Sequence, residues 1–406
     1  MSLDLARVIR PGDGIVCGQA CAEPQTLLEA LVAQRAAFTG ASLFLGIHYS
    51  GIVTPEHADH LRLAAYCGAG RTRALADAGV LDIHPHPYSQ LGALIGARAI
   101  PADVVLVQVS PPNARGEHSL GLAAEYLVPA LACCRAIVAE VNDQVPWTHC
   151  ERLLKQEDFA LSVPVSRPPV PLPYGPPGEA ERAIAAHCAA FVPDRATLEL
   201  GLGALPDAIL ASLSGRKGLR IHSGALGDGA VGLMQRGVVT EAVCGVLLGT
   251  KKLFDYAREN PRVQLRSSDY THSPRVLAAI ERFVAINSAV EVDLTGQVNA
   301  EVANGSYVGA VGGALDFIHA ANHSPGGVSL LCLPSCVGAK ASRIVSALSG
   351  PVATPRSEAG VIVTEFGAAD LRGCSLRERA RRMIGIAHPA FRELLQRESA
   401  ARGLIP

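Results

Sequence analysis

Several carboxylates in this sequence stand beside glycine-rich turns, where a carboxylate can serve as a nucleophile or as a general acid or base. In "LELGLGALPDAIL", residues 198–210, Glu199 and Leu200 precede Gly201, Leu202 and Gly203. The pattern reads as a strand, a glycine turn and a helix opened by Pro206. Glycines let a backbone approach a ligand closely, and a helix N-terminus favours an anion. The turn fits a phosphate or thioester-oxygen site, or else a tight strand–helix connection without a ligand. It is not a dinucleotide fingerprint, because position 206 is Pro where G-x-G-x-x-G needs glycine. A second cluster, "NGSYVGAVGGALDF" at 304–317, brings Gly305, Gly309, Gly312 and Gly313 together. It reads as backbone N–H groups facing a ligand or as a surface loop. A third turn, "RIHSGALGDGAV" at 220–231, has the grammar of an active-site loop, yet only Asp228 in it is acidic. No Ser–His–acid order accompanies His222, which reads as an orienting or packing residue.

These turns need a scaffold, and the chain of 406 residues is long enough for about two domains. Hydrophobic residues make up 49% and charged residues 18%, which fits a compact, well-buried protein. The net charge of −1 and an aromatic content of 4% argue against nucleic-acid binding. No apolar run of ~18 residues predicts a membrane span, and "MSLDLARVIRPGDG" lacks the apolar core of a signal peptide. Eleven cysteines without a C-x-x-C pair point to reduced thiols and a cytoplasmic setting.

Strand-like and helix-like runs alternate in both halves. "GDGIVCG" leads to the amphipathic "EPQTLLEALVAQRAAF", and "ASLFLGIH" leads through a turn to a helix expected from Thr54. "ADVVLVQVS" and "RAIVAEVN" are continuous apolar runs that suit strands covered on both faces. The second half opens the same way with "ATLELGLG" and "LPDAILASLSG". This alternation predicts α/β architecture with mainly parallel sheets, whose ligands gather at the carboxyl ends of the strands. Seven prolines between Val163 and Gly178 mark an extended connector. The predicted domains are therefore 1–170 and 171–406.

The order of motifs resembles the acetyl-CoA hydrolase/4-hydroxybutyrate CoA-transferase family, within the class I CoA-transferases. The residues that carry it include "ADVVLVQVSPPNARGEHSLG", "LELGLGALPDAIL", "RIHSGALGDG", "LLGTKKLFDYARENP", "YVGAVGGALDF", "KASRIVSAL" and "VIVTEFGAADLRGCSLRERARRMIGIAHPAFRELL". The resemblance runs nearly the whole chain and is strongest after residue 195. It implies two related open-sheet α/β domains with a CoA ester in the cleft between them. It also implies that Glu199, Leu200, Gly201, Leu202 and Gly203, together with Gly309, Gly312, Gly313 and Lys340, bind CoA. The substrates would be acyl-CoA and small carboxylic acids, with no further cofactor, and a homodimer or higher assembly is the ordinary expectation. In such enzymes a glutamate attacks the acyl-CoA carbonyl, giving a mixed anhydride and then an enzyme–CoA thioester.

Family members carry that glutamate just after the His-Ser or His-Thr aligned with "RIHSG", and here the position is Gly224. Three readings follow: the nucleophile has moved, transfer has been lost, or Asp228 acts instead. Glu56, in "TPEHADH", is the candidate for a moved nucleophile. Thr54 reads as N-cap, Pro55 as the first helical residue and Glu56 as part of the first turn, on a loop after the strand "ASLFLGIH". A branch of the family acting on itaconate shares this pattern by resemblance. The opposing reading is a surface acid complementing a helix dipole. Asp228 reads as a turn residue, Glu199 as a paired structural acid, Glu117 as a loop residue and Glu301 as a residue positioning the second glycine cluster. Arg71 and Arg73 could hold a second carboxylate, as in succinate or itaconate, or form a solvated basic face. The histidines at 84, 86, 57 and 60 lack a third ligand, so no metal is expected. Besides transfer, two functions remain open on the same residues: acyl-CoA hydrolysis, and CoA binding without turnover.

Overall fold

The computed structural model describes residues 3–338 and 340–405. The continuous apolar runs are indeed interior strands: Val104–Val109 and Thr197–Leu200 are buried at every position. They belong to two open sheets. The first has seven parallel strands in the order Phe159–Val165, Ala136–Asn142, Val104–Val109, Gly14–Cys17, Ser42–Phe44, Arg62–Ala65 and Leu81–Ile83. The second has nine, running Gly367–Asp370, Val361–Thr364, Val328–Cys332, Phe283–Ser288, Thr197–Leu200, Leu219–Leu226, Val239–Leu247, Val263–Leu265 and His149–Cys150. Only Gly367–Asp370 pairs antiparallel within it. The expected α/β class with mainly parallel open sheets is therefore observed.

The proline-rich connector lies where the chain passes between the sheets, after Val165 and before the helix Glu179–Ala189. The division is less clean than a single boundary near 170. His149–Cys150, from the first half of the chain, forms the edge of the second sheet, and the chain then returns to the first sheet at Phe159. One hydrophobic cluster also runs through both halves, from Val16 and Val105 to Leu198 and Val284. A smaller cluster, which includes Leu331, Ile362, Met383 and Leu395, seats the last two helices, Leu376–Ile386 and Pro389–Ala401. Ser375 starts the first of them with a capping box: its Oγ accepts from Glu378 N and the Glu378 carboxylate accepts from Ser375 N.

The helix expected from Thr54 is a 3-10 helix of five residues, Pro55–Asp59. Thr54 caps it as read, with His57 in the return position of the capping box. The next strand begins at Arg62, so the crossover has no length for a full helix.

The two sheets are stitched together by the segment before the helix Leu127–Cys133. Leu247 N donates to Leu122 O (2.8 Å), and Ala124 N donates to Gly245 O (2.9 Å). Ser268 N closes the same stretch on Glu125 O (3.2 Å). Tyr126 is fully buried, and its hydroxyl donates to Cys17 O (2.9 Å) at the end of the central strand of the first sheet. Tyr126→Phe leaves that carbonyl without its partner. It should lower the unfolding free energy by about 1–2 kcal/mol, read as a lower urea midpoint with an unchanged slope.

Candidate active site

A cavity of about 220 Å³ opens where the carboxyl ends of strands from the two sheets meet. Gln19, Ile47, Tyr66, Tyr88 and Glu125 line it from the first half of the chain. Glu199 to Leu202, Ser223 to Ala225, His272, Asn287, Gly312 to Ala314 and Phe317 line it from the second, with Val246 and Leu248. The position follows from the topology. Gln19 lies two residues beyond Gly14–Cys17, Glu199 is next to last in Thr197–Leu200, and Asn287 is next to last in Phe283–Ser288.

Glu125 is the carboxylate most firmly held there. It is 1% exposed. Tyr88 Oη donates to its Oε2 at 2.6 Å, and Gln19 Nε2 donates to the same oxygen at 2.7 Å. Gln19 is fixed in turn, because its Oε1 accepts from Ile47 N (2.7 Å) and from Tyr66 Oη (3.0 Å). The other carboxylate oxygen, Oε1, is buried without a hydrogen-bond partner in the protein. Burial pushes this carboxyl up to about 7, against the two hydrogen bonds, which favour its charged form. The backbone of Glu125 sits at φ 20°, a sparsely populated conformation, and is flanked by the hydrogen bonds to Gly245 O and from Ser268 N.

Glu199 is the second buried acid on the cavity wall. Its Oε2 accepts from Asn287 Nδ2 at 2.7 Å, and burial pushes it up to about 8. At neutral pH it therefore holds its proton. His272 also lines the cavity, its ring packed at a tilt against Tyr88 (4.8 Å) and Phe317 (4.5 Å). Thr271 Oγ1 donates to Ser267 O, so His272 Nδ1 is the donor to Thr271 Oγ1 (2.9 Å). Nε2 is left as an acceptor. Burial pushes this imidazole down to about 3, so the ring is neutral. A Cβ added at Gly224 would stand 3.2 Å from Nε2 of this ring, and a side chain at Gly313 would overlap it. The space that a side chain at 224 would enter is thus already lined by an imidazole.

The structure scatters the remaining expected residues. Glu56 is corrected most: its side chain is 76% exposed, 4.0 Å from His57, and it does not line the cavity. The physical reason is the crossover. His60 O accepts from Gly40 N, just before Ser42, so the 3-10 helix has already reached the amino-terminal end of a sheet whose carboxyl end faces the cavity. Asp228 is occupied in a loop contact, accepting from Thr250 N (3.1 Å) and Thr250 Oγ1 (2.8 Å). Glu117 pairs with Arg115, and Glu301 is buried outside the cavity lining. His222 Nε2 donates to Thr271 O (2.9 Å), the orienting role read from the sequence.

Of the residues expected at CoA, Glu199, Leu200, Gly201, Leu202, Gly312 and Gly313 line the cavity. Gly203 lines a narrow groove that shares Leu200, Gly201 and Leu202 with it, and its φ of 120° excludes other residues. Gly309 stands one step back, its carbonyl accepting from Gly68 N across the halves (3.0 Å). Lys340 is exposed in a turn and contributes nothing to the lining. Arg71 and Arg73 are exposed and lie outside it, and Arg73 faces Asp77. Among the described residues no group of three His, Cys, Asp or Glu side chains could hold a metal, and no helix is long and apolar enough to cross a membrane.

Comparison with known proteins gives this geometry a context. Residues 249–399 match the acetyl-CoA hydrolase/transferase C-terminal domain. Over 405 residues the chain is 37% identical to a 4-hydroxybutyrate coenzyme A transferase of Clostridium kluyveri, covering 96% of this chain and 94% of that one. The chain belongs to the acetyl-CoA hydrolase/4-hydroxybutyrate CoA-transferase family. It is a CoA-transferase, the name borne by several relatives. One of these is a succinyl-CoA:cyclohexane-1-carboxylate CoA transferase of Geobacter metallireducens, 30% identical over 96% of this chain and 92% of its own. The crystal structure of RipA from Yersinia pestis superposes with a TM-score of 0.94 at 30% identity, over 98% of this chain and 96% of that one.

Glu125 is the cavity residue of this CoA-transferase that sequence reasoning missed. A signal was present: it is the one acidic or basic side chain, histidine aside, between Glu117 and Arg135, in the apolar run "LGLAAEYLVPAL". An acid in such a run is buried, and a buried acid needs a partner or a task.

The raised pKa of Glu199 has a consequence for stability. Its ordinary value is 4.5, so the folded enzyme holds the proton more tightly than the unfolded chain. That contribution is complete below about pH 4.5 and is lost as pH rises through about 8. Glu199→Gln removes the titration. The melting temperature of this variant relative to wild type should climb by several degrees between about pH 5 and about pH 9. A difference that stays flat across this range contradicts a protonated, buried Glu199.

Proposed function

We propose that this enzyme moves CoA between short carboxylic acids through covalent intermediates on a carboxylate of the cavity. The observation that carries the reading is a pair of buried carboxyl groups, Glu125 and Glu199, facing one 220 Å³ cavity that both sheets close. The carboxylate attacks the thioester carbonyl carbon, the C–S bond breaks, and CoA leaves as thiolate. The thiolate attacks the enzyme's carbonyl in the resulting anhydride and displaces the donor acid. An acceptor carboxylate then reverses both steps. A carboxylate is a weak nucleophile in water, so position and desolvation must supply the rate. The walls suit this: Ile47, Tyr66, Val246, Leu248 and Phe317 are apolar or aromatic. In this reading the open turn at Gly201 and Gly203 lets the CoA arm lie against backbone, since nothing lies within 4 Å of a Cβ built at either position.

The same walls bear on the acyl group. Among the described residues, no Lys or Arg lines the cavity. A second carboxylate, as in succinyl or itaconyl groups, would have no cation to meet it there. We therefore propose a short uncharged acyl chain as the better substrate. Transfer is favoured over hydrolysis by the apolar walls, which leave a water little to bond to during the lifetime of an anhydride.

Incubation with butyryl-CoA and labelled acetate should yield labelled acetyl-CoA. Free CoA should form at under about a hundredth of that rate when the acceptor is omitted. Butyryl-CoA should exceed succinyl-CoA at least about tenfold in kcat/KM. Acceptor-independent CoA release at the full rate would establish a hydrolase instead, and failure of CoA to move to any acid would leave binding without turnover.

A further inference from the structure

Position 224 lies inside the strand Leu219–Leu226, on the cavity wall, and carries no side chain. Its neighbour across the sheet is Gly245, by the register that pairs Ser223 with Cys244 and Ala225 with Val246. A Cβ built on Gly245 would stand 2.9 Å from Gly224 O and 3.3 Å from Glu125 Cβ. Glu125 and Gly224 therefore flank the same glycine. The side chain of Glu125 enters the cavity beside the strand position that has none, from the other half of the chain.

We propose that Glu125 is the nucleophile of this CoA-transferase, supplied by the first half of the chain in place of a glutamate at 224. The inference rests on the transferase reading above. Four observations support it independently of any relative. The carboxylate lines the cavity. One of its oxygens is fixed by Tyr88 and Gln19, while the other is buried with no protein partner. An acceptor left unsatisfied in a low-dielectric site costs free energy, and an attacking oxygen needs that free lone pair. Its backbone is fixed on both sides, by Ala124 N donating to Gly245 O in the second sheet and by Ser268 N donating to Glu125 O, so the carboxylate is held in place by the second half of the chain. Finally, a Cβ at position 224 would stand 3.2 Å from His272 Nε2, so a side chain there would press on the ring, whereas Glu125 reaches the cavity without displacing it.

The steps balance without an added reactant. Glu125 Oε1 bonds to the acyl carbon, and the electron pair of the C–S bond leaves on sulfur. The thiolate bonds to Glu125 Cδ, and the acyl acid leaves with the bridging oxygen as its carboxylate. The stable intermediate is a Glu125–CoA thioester. Gln19 and Tyr88 are positioning residues, because they act through Oε2. Glu199 is not the nucleophile in this scheme, because Glu125 is the carboxylate that stands beside Gly224, across Gly245.

Sodium borohydride added to the full-length enzyme with butyryl-CoA reduces an enzyme thioester to an alcohol, which marks the residue in a digest. The mark should fall on Glu125, in the tryptic peptide 116–135, and fragment spectra separate it from Glu117. Glu125→Gln should lose at least about 1,000-fold in kcat/KM and show no mark, while Glu56→Gln stays within about twofold of wild type. A mark on Glu56, Glu199 or any other residue overturns the assignment while leaving the transferase reading intact. CoA transfer in wild type without any markable intermediate overturns both the assignment and the covalent mechanism. The wild-type mark decides the matter even where Glu125→Gln fails to fold.

Discussion

A carboxylate must be kept out of water in a defined orientation, and the meeting of the two sheets is what allows it here. Taking an acid out of water disfavours its charged form, so the site has to return part of that cost through hydrogen bonds. Tyr88 and Gln19 do so at one oxygen of Glu125 and leave the other buried without a protein partner. The supports are themselves buried and anchored, Gln19 by Ile47 N and Tyr66 and the segment of Glu125 by the edge of Val239–Leu247. Neither half of the chain could build this site alone. The acid and its donors come from the first half, and the glycine strands and turns that surround them come from the second.

The second constraint is space. Gly224 and Gly313 approach His272 so closely that a side chain at either would press on the ring. The ring is neutral, donates through Nδ1 to Thr271 and packs at a tilt against Tyr88 and Phe317. It thereby links the donor that holds Glu125 to the strand that lacks a carboxylate. Gly224, His272 and Glu125 are mutually consistent features of one cavity.

Much of the fold was legible in the sequence because parallel strands covered on both faces need unbroken apolar runs. "ADVVLVQVS", "RAIVAEVN" and "ATLELGLG" are such runs, and each is a strand. The turn after Glu199 and the pair Gly312–Gly313 were also legible, because Gly203 and Gly312 sit at positive φ and a side chain at Gly313 would overlap His272. Chain crossings were not. Periodicity does not say which sheet a two-residue strand joins, and His149–Cys150 joins the distant one. The same limit misplaces Glu56: a loop after a strand is expected at the carboxyl end, whereas the short crossover has already returned to the other end. The lone acid in the apolar run around Glu125 signals burial, but its partners are long-range: Ala124 N donates to Gly245 O and Ser268 N donates to Glu125 O, which no local pattern records.

The central claim is that Glu125 forms covalent bonds to acyl and CoA groups, and oxygen exchange tests it most directly. When an acceptor carboxylate attacks the enzyme–CoA thioester and CoA then takes its acyl group, one acceptor oxygen stays on the enzyme's carboxylate. After turnover with butyryl-CoA and acetate labelled with heavy oxygen, the account predicts heavy oxygen in the side chain of Glu125 and in no other acid of the chain. Heavy oxygen in a different glutamate or aspartate, or in none after many turnovers, would contradict it.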